Sequence, residues 1–416
     1  MREPQPTLVE LPSTIRRREE RVPSHIDWAR AKTSSHPTSP IAIFTNVVAD
    51  CVQIAAALLD DPAVTTTHEV LCLHSGLAAA HRQSVERRLA ERAGHEAHVA
   101  GFGPRSKPVL VIGTQVIQAS LDFDVDFAAT DLAPAADLIQ RLGRVWRFEG
   151  SLVDVPLRGG RLEAGARRTL RVVPVVDEHG QTSVRGDLPY LSAIQRRTLL
   201  TLRNEIARDP CVDVFEFSQP WVDAAYDKDP TALLSEQDAI VAAATQELVA
   251  GMARVNASQR SRAALARSNA LGGRPLLPTS ASPLWRDLHH LSKIPDDDDL
   301  MNTRYVEQQT RRVILVDSSG DSFYWDAEHA APVEFPRLTA AEVSALDRVE
   351  ASTLGNMSLK IPAAFTTVVG EAIGFASPVW NPMAKSLTHT PPLDLALLRG
   401  QVVYHPHLGL IRKEGP

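Results

Sequence analysis

Between residues 41 and 176 short, unbroken apolar runs alternate with amphipathic stretches, and this alternation constrains the fold more than any other feature. Ile41–Phe44, Val70–Leu73, Val109–Ile112, Phe127–Thr130 and Leu170–Val176 are the runs. None shows the every-second polar residue of a half-exposed strand, so each reads as a strand buried on both faces. The intervening VADCVQIAAALL, HRQSVERRLAERA and ADLIQRLGR carry apolar residues at helical spacing. Strand–helix alternation of this kind predicts a parallel sheet covered by helices on both sides, an α/β layer.

The texture changes after residue 180. YLSAIQRRTLLTLRNEIA and the long stretch at 233–255 read as helices, the Gly/Pro-rich 269–283 as a break, and the acidic Asp296–Asp299 as a solvated linker. RRVILVDSSGDSFYWD predicts two strands around a Ser-Ser-Gly turn, and residues 400–416 are again strand-like. At 416 residues the chain suits two or three domains of about 100–200 residues each. The boundaries drawn are an N-terminal extension at 1–40, an α/β lobe at 41–178, a helical linker at 179–275 and a small mixed C-terminal domain at 276–416. Arg16, Arg17, Arg18 and Arg21 sit beside Glu19 and Glu20, a pattern that predicts a solvated helix or a leader, with a DNA-contacting arm as the alternative.

Composition closes several routes. A net charge of −6 gives no whole-protein field for nucleic acid, so any such contact is a local groove. Three scattered cysteines without a CxxC indicate neither a disulfide framework nor a zinc module. No apolar run reaches membrane-spanning length and residues 1–20 lack a signal-peptide core. The expectation is a soluble protein of a reducing compartment, the cytoplasm.

The chemistry concentrates in QRLGRVWR, Gln140–Arg147, where Arg141, Arg144 and Arg147 recur every third residue around Gly143. Guanidinium forks stay charged and bind phosphate oxygens bidentately. Upstream, a buried strand runs into Gly113-Thr114-Gln115, which places a hydroxyl at the carboxyl edge of a parallel sheet, where ligands of open α/β sheets bind. Asp122, Asp124 and Asp126 alternate, but a calcium loop counted from Asp122 would have Phe127 and Ala133 at its Gly and Glu positions. His95 with His98, and His405 with His407, lack a third ligand at sensible spacing and read as surface or packing histidines.

Together, IAIFTNVVADC (41–51), LHSGL (73–77), GTQVIQASLDFDVD (113–126) and TDLAPAADLIQRLGRVWR (130–147) resemble the second RecA-like lobe of superfamily-2 helicases. More narrowly, they resemble that of the type I CRISPR-associated helicase–nuclease. NTRYVEQQTRRVILV and YHPHLGL resemble its C-terminal domain more distantly. The resemblance implies that Gln140, Arg144 and Arg147 reach the γ-phosphate of ATP held by another lobe, with Arg144 and Arg147 as catalytic arginine fingers. It places Asp122 near the nucleotide. Asn46, Ser75, Thr114 and Gln115 would line the face that follows single-stranded DNA by its phosphates.

Three positions depart from the family pattern: Val47 stands for a threonine, Gly76 for an arginine and Gln118 for a glutamate. No GxxxxGK[ST] phosphate loop, acidic DExH box or His-Asp dipeptide occurs in the sequence. Asp326–His329 has its glutamate misplaced and reads as a surface loop. The implied activity is that of the carboxyl-terminal half of an ATP-dependent DNA translocase. Mg2+ with the ATP cradle would come from a partner chain carrying the nuclease and first lobe, and the Cascade surveillance complex is the implied assembly. A truncated, non-enzymatic remnant or Cascade-binding accessory is the alternative, and another superfamily-2 motor the third reading.

Overall fold

The computed structural model describes residues 7–11, 15, 18–95, 97, 107–119, 121–148, 168–175, 190, 192–208, 211–212, 218–223, 310–316, 323–326, 331–334, 358–362, 392–394 and 402–412. Two compact units divide the chain. Met1–Ala244 with Ala327–Ala331 and Val403–Arg412 form one, and Thr245–Asp326 with Pro332–Val402 and Lys413–Pro416 the other.

The first unit holds a seven-stranded sheet. Its strands are β1 (Thr7–Glu10), β2 (Ile41–Phe44), β3 (Glu69–Leu73), β4 (Val109–Gly113), β5 (Phe127–Asp131), β6 (Arg168–Val173) and β7 (Cys211–Val212), in the order β3-β4-β2-β5-β6-β1-β7. Strands β1 to β6 run parallel, and β7 closes the edge antiparallel to β1. Strands β2, β4 and β5 are buried at every position, as their continuous apolar character requires.

Side-chain alternation splits the core in two. Ala42, Phe44, Leu71, Leu73, Val109 and Val111 point to one face, and Ile41, Ile43, Val70, Cys72, Leu110 and Ile112 to the other. The second face is covered by α1 (Arg21–Ser35), α2 (Val48–Leu59) and α3 (Pro62–Thr67) through Ala29, Ile54, Leu58 and Val64. The first is covered by α4 (Ala79–Ala93), the helix α6 (Ala135–Leu142) and α7 (Ser192–Arg208), which bring Val85, Leu89, Leu138, Leu142, Leu199 and Leu202. A single-turn helix α5 (Val116–Ala119) follows β4. Asp61 caps α3 by accepting from Ala63 N at 3.0 Å, with Pro62 at the first helical position.

The region before residue 41 is structurally part of this layer. Strand β1 pairs with β6 from Thr7↔Arg168 to Glu10↔Arg171, and α1 lies on α2 and α3. Arg21 is fully buried, which corrects the solvated-helix reading of the arginine cluster at that position; Arg16 and Arg17 lie outside the described residues. A buried charge inside a polar sequence context carries no periodic signal, so the sequence could not separate it from its exposed neighbours.

In the second unit β8 (Thr310–Val316) lies between β11 (Ser358–Pro362), antiparallel, and β12 (Pro392–Asp394), parallel, while β9 (Phe323–Asp326) pairs with β10 (Ala331–Glu334). The two strands expected around the Ser-Ser-Gly turn both form, but in different sheets. The last hairpin is β13 (Val402–His405) with β14 (Gly409–Arg412). The helix expected at 233–255, the break at 269–283, His98 and Asp296–Asp299 lie outside the described residues.

Candidate functional site

The carboxyl ends of β2, β4 and β5 deliver three adjacent segments to one edge of the sheet. Gly113 ends β4 where a Cβ would meet Ile117 Cγ2 at 2.6 Å and Leu73 O at 2.8 Å, so only glycine lets the chain turn into α5 there. Thr114 follows, buried, with its N–H on Leu73 O at 3.2 Å. Gln115 donates its side-chain amide to Asn46 O at 3.2 Å. Asn46 is buried, and its side chain faces inward: Nδ2 donates to Leu132 O at 2.8 Å, its backbone N–H to Asp131 Oδ2 at 2.7 Å. Asn46 therefore ties β2 to β5, a correction to its expected place lining an open strand-following face.

Arg141 organises this edge. It is fully buried on α6, three residues after Leu138 and next to Leu142 on the helix's inner stripe. Nε donates to Gln118 Oε1 at 2.8 Å and Nη1 to Thr130 Oγ1 at 2.6 Å and Asp131 O at 3.2 Å. Both Nη atoms reach Asn46 Oδ1 at 3.3 Å, and Nη2 donates to the Tyr190 hydroxyl at 3.1 Å. These acceptors are all neutral, and the Phe44 ring lies 5.8 Å from the guanidinium carbon, so hydrogen bonds and an aromatic face offset the desolvation of the charge. Gln118 does what neither a carboxylate nor an amine could: its oxygen accepts from Arg141 while its NH2 donates to Asp137. Burial pushes the Tyr190 phenol up, against the opposing charge of Arg141.

Arg144 and Arg147 lie just beyond. Helix α6 stops at Gly143, and Val145 forms a lone parallel bridge to Val125. Trp146 then takes a left-handed φ of 53°, a conformation costly for a bulky residue. The indole N–H donating to Asp126 O at 3.0 Å and the backbone N–H donating to Val125 O at 3.0 Å hold it there. This kink returns the chain so that Arg147 N donates to Asp124 Oδ1 at 2.9 Å and its Nε to Asp122. Arg144 donates to Gln118 O at 2.8 Å and lies 3.7 Å from Asp122 Oδ1. Burial lowers the Arg144 pKa and Arg147 lowers it further, with Asp122 opposing. The carboxylate is 61% exposed and the Arg147 side chain 39%, so the pair is accessible from solvent. The structure thus brings together Asp122, Arg144 and Arg147. Gln140 sits on the exposed side of α6. Among the described residues no group of three or more His, Cys, Asp and Glu side chains could hold a metal ion.

Residues 38–150 match the family described as "CRISPR-associated nuclease/helicase Cas3, C-terminal". Residues 38–150 are thus similar to the C-terminal part of a Cas3 nuclease/helicase. The chain is 42% identical over 77 residues to the CRISPR-associated nuclease/helicase Cas3 of Streptococcus thermophilus, covering 18% of this chain and 8% of the relative. It is 49% identical over 47 residues to the CRISPR-associated endonuclease/helicase Cas3 of Thermus thermophilus, covering 11% and 5%. The crystal structure of T. fusca Cas3-ATP superposes with a TM-score of 0.68 at 21% identity, over 99% of this chain and 43% of that one. A CRISPR RNA-guided surveillance complex in its pre-nicking state does so at 0.61 and 19%, over 98% and 44%. The chain therefore spans less than half the length of these relatives. No helix among the described residues is long and apolar enough to cross a membrane.

One further feature of this lobe escaped the sequence reading. Asp131, fully buried at the end of β5, accepts from His25 Nε2 at 2.9 Å and lies 3.4 Å from Arg21 Nε, while Arg21 also pairs with Asp50. Burial raises the Asp131 carboxyl, but Arg21, His25 and the Asn46 amide outweigh it and hold it below the usual range. Helix α1 is thereby locked to the edge that carries Asn46. Ser75 is exposed on the loop after β3.

Proposed function

We propose that this Cas3-type lobe serves as the second lobe of an ATP-driven translocase on single-stranded DNA, acting in defence against foreign DNA with a CRISPR surveillance complex. Arg144 and Arg147 are its catalytic contribution. The observation that carries the reading is their convergence on exposed Asp122 at the sheet's carboxyl edge. That edge is where a nucleotide from a facing lobe would meet it.

ATP, when bound, supplies the γ-phosphoryl group and its charge. On this chain, Arg144 and Arg147 leave Asp122 for the phosphate oxygens, and Asp122 keeps them poised and partly neutralised until then. Trp146 fixes the turn from which Arg147 projects, and the Gln118 carbonyl orients Arg144. Mg2+ and the β-phosphate cradle come from a partner chain bearing a phosphate loop. Ser75 and Gln115 present the strand-following face, with buried Thr114, Asn46 and Arg141 fixing its backbone.

The test is steady-state ATP hydrolysis on single-stranded DNA by the full chain together with a chain carrying the phosphate loop. Arginine fingers are worth about 10³–10⁵ in kcat, so Arg144→Ala should nearly abolish turnover while DNA binding survives. Arg144→Lys should rescue little, because an ammonium cannot reproduce the fork. Equal turnover for wild type and both variants overturns the assignment in favour of a non-enzymatic module.

A further inference from the structure

The hairpin of β13 and β14 lies against the loop after β3, more than three hundred residues away in sequence. Two backbone groups of that loop, Gly76 O and Ala78 N, and the His74 side chain are held by it. His74 accepts from Gly76 N at 3.0 Å through Nδ1, so its proton is on Nε2, which donates to Leu408 O at 2.9 Å. Leu410 N donates to Gly76 O at 3.1 Å. The Tyr404 hydroxyl accepts from Ala78 N at 3.0 Å and meets His81 Nδ1 at 2.8 Å. Ala78 opens α4 without a capping side chain, and the phenol supplies the missing acceptor.

The approach is close because both chains are glycine where they cross. At Gly409, with φ +72°, a Cβ would lie 2.8 Å from Gly76 O and 2.6 Å from Leu77 Cδ2. At Gly76 a Cβ would meet the His74 ring at 3.1 Å. Leu408 is buried in the same core as Ile54 and Ile112, which anchors the hairpin to the sheet. Ser75 stands exposed between these fastenings.

We infer that Tyr404 is a positioning residue for the phosphate-following loop: its hydroxyl, with the Gly76 and His74 bonds to β14 and its turn, fixes the backbone that presents Ser75. The inference rests on the proposed function above for the meaning of Ser75, but not for the mechanics of the loop.

Tyr404→Phe removes one oxygen and leaves the ring and the fold. In the full chain, amide exchange across residues 74–81 should accelerate about tenfold, the effect of one lost hydrogen bond, with the melting temperature lowered by only a few degrees. Affinity for a fluorescent oligothymidylate should fall about five- to tenfold. Ser75→Ala should cost a similar factor, and the double variant no more than either alone, because a residue acting through Ser75 is not additive with it. Unchanged exchange at 74–81 overturns the inference, as does full additivity of the two substitutions. If the wild-type chain binds no DNA, the function proposed above fails, and the exchange rates alone decide whether the hairpin fixes the loop.

Discussion

Arg141 and Arg144 share a motif and a residue type, yet their surroundings predict opposite consequences of removal. Arg141→Met keeps the apolar stem and deletes a guanidinium that donates to Asn46, Gln118, Thr130, Asp131 and Tyr190. Each buried acceptor left without a donor costs about 1–3 kcal/mol. Partial relaxation makes the costs less than additive, which puts the whole at about 3–5 kcal/mol. In a unit of this size each kcal/mol lowers Tm by about 2–4 °C, so Arg141→Met should melt on the order of 10 °C below wild type. Arg144→Met loses one bond to a main-chain carbonyl and a 3.7 Å pairing with a largely exposed carboxylate. Its cost should stay near 1 kcal/mol and its Tm within a few degrees of wild type. Thermal melts followed by circular dichroism, on both variants at pH 7, compare the two directly. Indistinguishable midpoints would refute the reasoning, because they would mean that the burial and bonding of Arg141 carry no stability.

Two other outcomes follow from individual contacts. Burial lowers His74 to about 4 and His81 to about 4, the latter helped by His407, His74, Arg88 and His405. Because these folded values lie below the ordinary 6.5, the stabilisation is complete above that pH and is lost as pH falls toward 4, by up to about 3 kcal/mol for His74. Urea midpoints between pH 4 and 7 should rise with pH, and His81→Gln should flatten part of the slope; an unchanged slope contradicts the assignment. Gln118→Glu retains the acceptor for Arg141 but sets two carboxylates together at Asp137, which should cost about 1 kcal/mol at neutral pH. Adding Asp137→Asn should recover it in the same melts, whereas a stable single variant would show that Arg141 outweighs the repulsion.

The sheet was legible because burial on both faces leaves a direct mark: Ile41–Phe44 and Val109–Ile112 have no polar residue at all, and both run through the centre of the layer. Strand β1 left no such mark, since four residues flanked by prolines are too short for a period to show. The arginine repeat was legible as a cluster, but its division of labour was not. Spacing of three puts Arg141, Arg144 and Arg147 on related sides of an ideal helix. Only the stop at Gly143 and the left-handed Trp146 turn the last two away from the buried stripe. Arg141 could have been recognised by its register with Leu138 and Leu142. Asn46 could not, because a polar residue after a strand looks the same whether it faces solvent or ties two strands together.

The three departures from the family pattern can now be ranked by what surrounds them. Gln118 replaces a glutamate beside Asp137, where an amide can donate and a carboxylate cannot, so its change is matched by a neighbour. Gly76 replaces an arginine where the hairpin's backbone closes to hydrogen-bonding distance and a Cβ on either glycine would crowd it. There, too, a lost side chain coincides with a gained contact. Val47 has no such counterpart. It is the N-cap of α2 in an extended conformation, φ −127° and ψ 146°, with no side-chain hydrogen bond to the helix. A threonine there could accept from the first turn, a bond worth about 1 kcal/mol. Two of the departures are thus locally consistent sets of residues. The third leaves a helix start uncapped beside Asn46.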